Sequence, residues 1–401
     1  MPLKRLRKTS FVVTLAALLI HAGGRPAARV EAAGESESVK AGSVKAGSVK
    51  GPVEVRGPGV RPQLFFACCD QGMSDMESWV ANPEVIAQLQ QLHAGLAVEI
   101  SDFSAERAQA VKKLNDDGIP LTAWLVMSRE QGHYLNGFNA PEAEQRFTQF
   151  DQWTKENGLK WGAVGLDIEP NFDQLKAVAA HKPQFVWFLT KRFFDYGQVE
   201  RGREAYAALI RRIQAAGYVA QTYQMPFLAE ERDAHSTLLE RLFGMVDVRG
   251  NDEVLMAYSS FNHEAGGGIP LLYGPKTETL AVGTTLDDKA AGLTALSWDE
   301  FSRDLIVAAH FSRVVGVYSL EGCIRHGYLP RMIAMDWGQT VTIPASQIVA
   351  AGKFDRNVRH AIGFFSRLPY VLAGVLVVAV TFVWWLVRRR RAKRSTAGSR
   401  N

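Results

Sequence analysis

The chain has 401 residues, of which 47% are hydrophobic and 22% charged, and these values are ordinary for a globular protein. Its formal net charge is +5, but eleven of its Lys and Arg residues lie in segments 4–8 and 388–400, so residues 11–387 hold six more acidic than basic groups. A mildly acidic body argues against nucleic acid as a partner.

Residues 1–32 have the pattern of a secretory signal peptide, because basic residues at 4–8 precede an apolar core at 11–20. That core is too short to span a bilayer comfortably. We therefore predict cleavage, with an uncleaved anchor as the alternative. Residues 33–62 carry a Ser-Val-Lys-Ala-Gly repeat followed by a Pro- and Gly-rich stretch, which predicts a flexible linker.

Apolar segments that read as strands recur between residues 63 and 344. They lie at 63–69, 96–101, 121–127, 163–169, 218–225, 254–259, 280–285 and 314–320. Most are followed by a helix-like segment, and strands buried on both faces in such an alternation indicate a parallel sheet. Eight units in this length predict an α/β fold with a closed (β/α)₈ TIM barrel over 63–344. An open doubly wound sheet is the alternative, but no glycine-rich dinucleotide fingerprint follows the first strand.

Helices are predicted at 75–93, 104–117, 141–157, 203–216, 230–243 and 298–311. Residues 264–274 are predicted to form a loop. The segment 172–202 is longer than a barrel connection needs, so we predict a lid over the carboxyl ends of the strands.

The C-terminal region has the features of a membrane anchor. Residues 345–367 form a predicted connector, and residues 368–387 contain no charge over a length that suits a spanning helix. Four arginines follow directly, so by the positive-inside rule the tail 388–401 would be cytoplasmic and the barrel would lie outside the cell membrane.

Two carboxylates, Asp167 and Glu169, close the fourth predicted strand. Residues two apart on a strand face the same side, so both acids should project together from the barrel mouth. Neighbouring carboxylates push their pKa values apart, which suits acid catalysis. A structural ion pair with arginines and a metal site are the alternatives.

The other predicted strand ends carry acids, amides and aromatic rings, as a carbohydrate cleft would need. Barrel enzymes hold their chemistry at these ends. The candidate substrate-binding residues are Asp70, Glu99, Trp124, Gln221, Tyr223 and Glu321.

Gly165-Leu166-Asp167-Ile168-Glu169 resembles the end of the D-x-x-D-x-D-x-E signature of glycoside hydrolase family 18 chitinase-like barrels, and Met256-Ala257-Tyr258 is similar to the M-x-Y of that family. The resemblance implies that Glu169 is the general acid. It also implies that Asp167 and Tyr258 orient a substrate N-acetyl group, which acts as the nucleophile. Gly162 and Gly165 stand where the family has its two earlier aspartates.

A second resemblance concerns Glu169-Pro170-Asn171, which is similar to part of the N-E-P motif of retaining barrel glycosidases. It again implies that Glu169 is the proton donor. That family places a nucleophilic glutamate on strand seven, where this chain has threonines.

The chain has three cysteines, and none has the spacing of a metal motif such as CxxC. Cys68 and Cys69 end the first strand and Cys323 follows the eighth, and these two strands are neighbours in a closed barrel. A disulfide from Cys323 to one of the pair, a bond between Cys68 and Cys69, and free thiols are all open. No cofactor and no metal site are predicted.

Together these features predict a membrane-anchored, extracytoplasmic glycoside hydrolase that cleaves a glycan by acid catalysis from Glu169. Two other functions remain open. One is a catalytically inactive barrel that binds glycan, and the other is metal-dependent hydrolysis of phosphodiesters through Asp167, Glu169 and Glu99.

Overall fold

We describe the fold from a computed structural model that covers residues 37–38, 51–171, 189, 191–287 and 294–397. The predicted signal segment 1–32 lies outside the described residues. So does most of the predicted lid at 172–202.

The strands begin within two residues of their predicted starts throughout the barrel. In chain order they are β1 (Glu37–Ser38), β2 (Val53–Arg56), β3 (Gln63–Cys68), β4 (Gly95–Ile100), β5 (Leu121–Leu125), β6 (Ala163–Ile168), β7 (Val219–Gln224), β8 (Asp252–Met256), β9 (Thr279–Gly283), β10 (Val314–Tyr318) and β11 (Thr340–Ile343).

Strands β3 to β10 form a closed parallel barrel, which confirms the predicted fold. Closure is visible where β10 pairs with β3, with Val314 opposite Gln63 and Tyr318 opposite Ala67. An open doubly wound sheet has no such pairing between its first and last strands, so that alternative is wrong.

Two hydrophobic cores explain why the strands are apolar on both faces. One fills the barrel interior and includes Trp124, Tyr223 and Met256. The other lies between the barrel and its helices and includes Leu255 and Phe301. Alternate residues of each strand enter alternate cores, as the two-residue period of a strand requires.

The helices are α1 (Met73–Val80), α2 (Pro83–Leu92), α3 (Ala105–Asp116), α4 (Ala140–Asn157), α5 (Tyr196–Ala215), α6 (Leu228–Asp233), α7 (Leu238–Phe243), α8 (Gly268–Tyr273), α9 (Trp298–Phe311), α10 (Leu320–Arg325), α11 (Tyr328–Ile333) and α12 (Ala345–Ala397). Short 3₁₀ turns occur at Arg129–Gln131, Ser259–Phe261 and Gly274–Lys276.

The helix predicted at 75–93 is in fact two helices, α1 and α2. Asn82 is extended, as a residue before proline tends to be, and its side chain accepts a hydrogen bond from the Glu84 N–H at 3.0 Å. Pro83 therefore starts a new, capped helix. The helix predicted at 230–243 is likewise divided, into α6 and α7.

The loop predicted at 264–274 is wrong, because the short helix α8 forms there. Its start lies directly against α12. A Cβ on Gly268 would lie 2.6 Å from the backbone oxygen of Gln347, so only glycine permits this approach. Gly268 thus provides a close contact between two helices.

The predicted linker at 33–62 extends too far, because β2 belongs to the folded domain. It pairs antiparallel with β11, and Val53 and Val55 are buried beside Val307 and Ile343. Alternating valines bury one face of β2, which the Pro- and Gly-rich surroundings concealed.

The predicted connector at 345–367 is helical, because it forms the first part of α12. Val358 and Ile362 are buried against the barrel domain, and the Arg359 guanidinium bonds to Asp233 at 2.9 Å. Among the residues that the structure describes, no helix is long and apolar enough to cross a membrane. The span predicted at 368–387 is therefore not confirmed.

Candidate active site

The backbone of the acid pair is held by the segment that follows β5. Leu135 forms a parallel bridge with Ile168. Its N–H donates to the Asp167 carbonyl at 3.1 Å, and its own carbonyl accepts from the Glu169 N–H at 3.0 Å. Both acids are therefore fixed at the carboxyl end of β6, where barrel enzymes hold their chemistry.

Asp167 is buried inside the barrel, with a side-chain exposure of 2%. The Trp124 Nε1–H donates to its Oδ2 at 3.0 Å. Burial raises the pKa of Asp167, and hydrogen bonds from Trp124 and Glu169 oppose the rise. Trp124 thus orients the carboxyl and favours its ionised form.

Glu169 is half-buried, so part of the residue is exposed at the barrel mouth. Burial raises its pKa well above the ordinary value, and the charge of Asp167 and a hydrogen bond between the two carboxyls raise it further. Two carboxyls in contact cannot both ionise readily. The raised pKa of Glu169 therefore favours its protonated form.

Aromatic rings line the site on the side of β8 and β10. Tyr258 and Tyr318 are stacked, with ring centroids 5.7 Å apart, and Trp124 meets Tyr318 edge-on at 6.4 Å. Burial, followed by the charges of Asp167 and Glu169, raises the pKa of Tyr258. The Tyr258 hydroxyl therefore stays protonated near the acid pair.

Tyr134 is a site residue that was not among the predicted contacts. Burial raises its pKa, and the next contributions come from Glu169, Asp167, Glu99 and Asp70 in that order. Its ring therefore lies among all four acids. The residue belongs to an irregular segment, Gly132-His133-Tyr134, and its position depends on a loop conformation that periodicity does not encode.

The structure brings three of the predicted binding acids to the same mouth. Asp70 Oδ2 accepts the Tyr318 hydroxyl at 2.6 Å, and Glu321 Oε1 accepts the Cys69 N–H at 2.5 Å. Glu99 is buried, with its carboxylate 4.0 Å from His133 Nε2.

Tyr223 and Gln221 lie deeper in the barrel than the acid pair. The Tyr223 hydroxyl donates to Gln221 Oε1 at 3.2 Å, and the Gln221 amide reaches Asp252 at the start of β8 at 3.4 Å. The amino end of β8 is opposite the mouth, so the structure does not place Gln221 with the acids. Tyr223 lies between the two levels, since the charge of Asp167 contributes to its raised pKa.

Tyr223 also explains Gly165, one of the two glycines that replace family aspartates. A Cβ at Gly165 would lie 2.4 Å from Tyr223 Cε2, so no side chain fits there without moving the ring. The Tyr223 ring therefore occupies the space beneath Asp167. The Asp167 carboxylate accepts its hydrogen bond from Trp124.

Arginines near the site bind backbone and other acids instead. The buried Arg107 donates to the Glu99 carbonyl at 2.7 Å and pairs with Asp102 at 2.8 Å, while Arg146 donates to the Ile100 carbonyl at 2.7 Å. Within the described ranges, no basic side chain forms an ion pair with Asp167 or Glu169. The structural ion pair considered from the sequence therefore has no partner in this part of the chain.

The structure also bears on the predicted disulfides and on the metal alternative. Cys68, Cys69 and Cys323 are free, buried thiols, so the disulfides considered are absent. The Cys323 thiol is directed to Thr285 Oγ1, 3.8 Å away.

The metal alternative required Asp167, Glu169 and Glu99 to bind one ion. Among the described residues, these three acids do not form a compact group of metal ligands.

Comparison with known proteins yields structural likeness alone. No family model and no curated protein matches the chain, so membership of glycoside hydrolase family 18 is not confirmed. The glycoside hydrolase domain of PgaB from Bordetella bronchiseptica has a TM-score of 0.41 at 8% identity, covering 68% of this chain and 98% of that domain.

Two further solved structures are similar at this level. The 3-keto-D-glucoside 4-epimerase YcjR from E. coli has a TM-score of 0.39 at 10% identity, over 68% of this chain and 99% of its own. The chitobiase of Flavobacterium johnsoniae has a TM-score of 0.33 at 9% identity, over 77% of this chain and 51% of its own.

Proposed function

We propose that the protein hydrolyses glycosidic bonds in a glycan, with Glu169 as the general acid. The observation that supports this most is the pair of carboxyls at the end of β6, one buried and hydrogen-bonded to Trp124 and the other partly open. The raised pKa of Glu169 meets the main requirement for a general acid, which is a protonated group at the reacting position.

The remaining groups have roles that follow from their positions. The faces of Tyr258 and Tyr318 offer an aromatic surface for a sugar ring. Asp167, held by Trp124, would stabilise positive charge that develops at the anomeric carbon or orient a neighbouring substrate group. The neutral Tyr258 hydroxyl would donate a hydrogen bond to the same group.

The closeness of the two acids favours a particular nucleophile. Inverting glycosidases hold a water between carboxyls roughly 6.5–9.5 Å apart. Here the two acids are separated by one residue at the end of β6, and the charge of Asp167 contributes to the raised pKa of Glu169. Asp167 is therefore poorly placed to activate a water on the opposite face of the sugar. A substrate acetamide that attacks the anomeric carbon, oriented by Asp167 and Tyr258, fits better, and we propose a glycan that contains N-acetylhexosamine.

Glu169→Gln tests the proposal. Glutamine keeps the shape of the side chain but cannot donate the acidic proton, so turnover of a chitooligosaccharide panel should fall about 10²- to 10⁴-fold with an unchanged unfolding temperature. Glu156→Gln, at an exposed position of α4, is the matched control and should keep full activity. Wild-type turnover by Glu169→Gln would remove Glu169 from the mechanism.

Glycan binding without turnover is the second candidate, and the Gly165 and Tyr223 arrangement favours it. The resembled family has an aspartate where Tyr223 fills the space here. If wild-type protein binds the panel by calorimetry and releases no product, and Glu169→Gln binds equally well, the protein is a binding module.

We also propose that the barrel lies outside the cell membrane, held by the chain's C-terminal segment. The support is sequence alone, namely the signal pattern of 1–32 and the uncharged span 368–387 before four arginines. The test is fractionation of the full chain with protease added to intact cells. Recovery of the whole chain in the soluble interior would contradict this location.

A further inference from the structure

Two cysteines and a glutamate meet at the seam where the barrel closes. Cys68 ends β3, Cys69 follows it with a φ of +80°, and Glu321 lies in α10 directly after β10. The two sulfurs and a carboxylate oxygen of Glu321 all lie within 4.8 Å of one another. Pairing of β3 with β10 therefore brings the adjacent thiols to Glu321, which follows Cys69 by 252 positions in the chain.

One oxygen of Glu321 is used and the other is not. Oε1 accepts the Cys69 N–H at 2.5 Å, which fixes the carboxylate against the thiol pair. Oε2 is buried and has no hydrogen-bond partner among the described residues, although the side chain is only 4% exposed. A buried carboxylate oxygen without a partner is costly, so a ligand that binds it would be stabilising.

A second buried acceptor lies beside this group. Asp70 follows Cys69 directly, and its Oδ1 is also buried without a hydrogen-bond partner in the described part of the chain, while Oδ2 accepts the Tyr318 hydroxyl at 2.6 Å. Two buried carboxylate oxygens without hydrogen-bond partners among the described residues therefore belong to the thiol group or to the residue next to it in the chain.

We propose that Cys68, Cys69 and Glu321 bind a thiophilic divalent cation of the Zn²⁺ type. Thiolates bind Zn²⁺ at about 2.3 Å and carboxylate oxygens at about 2.0–2.2 Å. The three ligand atoms lie within 4.8 Å of one another, so small side-chain rotations would let them bind one ion placed between them. Thiolate ligands exclude Mg²⁺ and Ca²⁺, which prefer oxygen.

The charges of the group agree with this assignment. Two thiolates and one carboxylate carry three negative charges, which a divalent cation reduces to one.

Titration of the full-length protein with Co²⁺ and Zn²⁺ tests the proposal. The protein is first reduced and stripped with a chelator. Co²⁺ should bind in one equivalent with a thiolate-to-cobalt charge-transfer band, and Zn²⁺ should displace it. Cys69→Ser and Glu321→Gln should each weaken Zn²⁺ binding by at least tenfold, and Cys69→Ser should also weaken the band.

Cys323→Ser is the matched control, because it removes a buried thiol that is bonded to Thr285 outside the group. Cys323→Ser should keep the thiolate-to-cobalt charge-transfer band and the wild-type affinity for Zn²⁺. Circular dichroism and unfolding temperature report whether each variant folds, and Glu321→Gln tests the site if a cysteine variant does not. No charge-transfer band in the wild type, or equal losses in Cys323→Ser and Cys69→Ser, would overturn the proposal.

The metal site and the proposed hydrolase function are tested separately. The readout is metal binding, which needs no glycan substrate. Glu169→Gln should therefore bind Co²⁺ and Zn²⁺ as the wild type does.

Discussion

Trp124→Phe removes one hydrogen bond at the centre of the candidate active site and keeps an aromatic ring in the barrel. The Trp124 Nε1–H donates to Asp167 Oδ2 at 3.0 Å, and both side chains are buried. A hydrogen bond to a charged group contributes roughly 1.5–3 kcal/mol. Since about 1.36 kcal/mol corresponds to a tenfold change in rate, we expect kcat/KM for glycan cleavage to fall roughly 10- to 150-fold.

The same substitution should shift the pH dependence of the reaction. Burial raises the pKa of Asp167 and the Trp124 hydrogen bond lowers it. Without that bond the pKa rises further, so less Asp167 is ionised at a given pH. The acidic limb of the kcat/KM profile should therefore move to higher pH, as measured on the glycan that the wild type cleaves.

Trp79→Phe is the matched control, because Trp79 is a buried tryptophan in α1 whose Nε1–H has no partner among the described residues. Both variants lose the same atoms, but only Trp124→Phe loses the bond to Asp167. The unfolding temperatures of the two variants show whether they lose a comparable amount of packing stability. If the two variants have the same kcat/KM and the same acidic limb, the hydrogen bond to Asp167 has no part in catalysis.

Two further predictions concern stability. Gly165→Ala should lower the free energy of unfolding by about 1–3 kcal/mol, because its Cβ would lie 2.4 Å from the Tyr223 ring. Gly162→Ala is the control, because a Cβ there would have no contact closer than 3.7 Å, and its free energy of unfolding should fall less in denaturant titrations. Equal losses of stability in the two variants would contradict the steric explanation. Burial raises the pKa of Glu231 from 4.5 to about 8. The folded protein therefore holds the Glu231 proton more tightly than the unfolded chain does, which stabilises the fold at low pH. This stabilisation is lost as the pH rises from 4.5 to about 8. Glu231→Gln should flatten the unfolding temperature across that range, whereas Glu156→Gln at an exposed site should not, and an unchanged slope in Glu231→Gln would contradict the assignment.

The barrel was predictable because its signal is local and repeated. Strands such as β6 are buried on both faces, so each appears as an unbroken apolar run that ends in polar residues. The spacing of Asp167 and Glu169 on one strand was similarly sufficient to place both acids at the mouth.

Features that depend on contacts between distant segments were predicted incorrectly. Residues 264–274 were predicted to form a loop, but Gly268 permits a short helix to approach Gln347 there. Val53 lay in a stretch that reads as a linker, but it becomes buried once β2 pairs with β11. The composition of a segment does not record which partner will cover it.

The site shows the same division between local and distant information. The identity of the acid pair follows from two positions on one strand, whereas Tyr134 reaches the acids through a loop and Trp124 through the neighbouring strand. Only packing shows that Tyr223 fills the space above Gly165.

The order of apolar and polar residues along the chain was enough to specify eight strands, their parallel arrangement and the end at which acids gather. The folded chain was needed to show which neighbours raise the pKa of Glu169, which ring lies beneath Asp167, and that Cys68 and Cys69 meet Glu321 as free thiols. Periodicity describes which face of a strand is buried, but pKa values, hydrogen bonds and ligand groups depend on distances of a few ångströms between segments that are far apart in the chain.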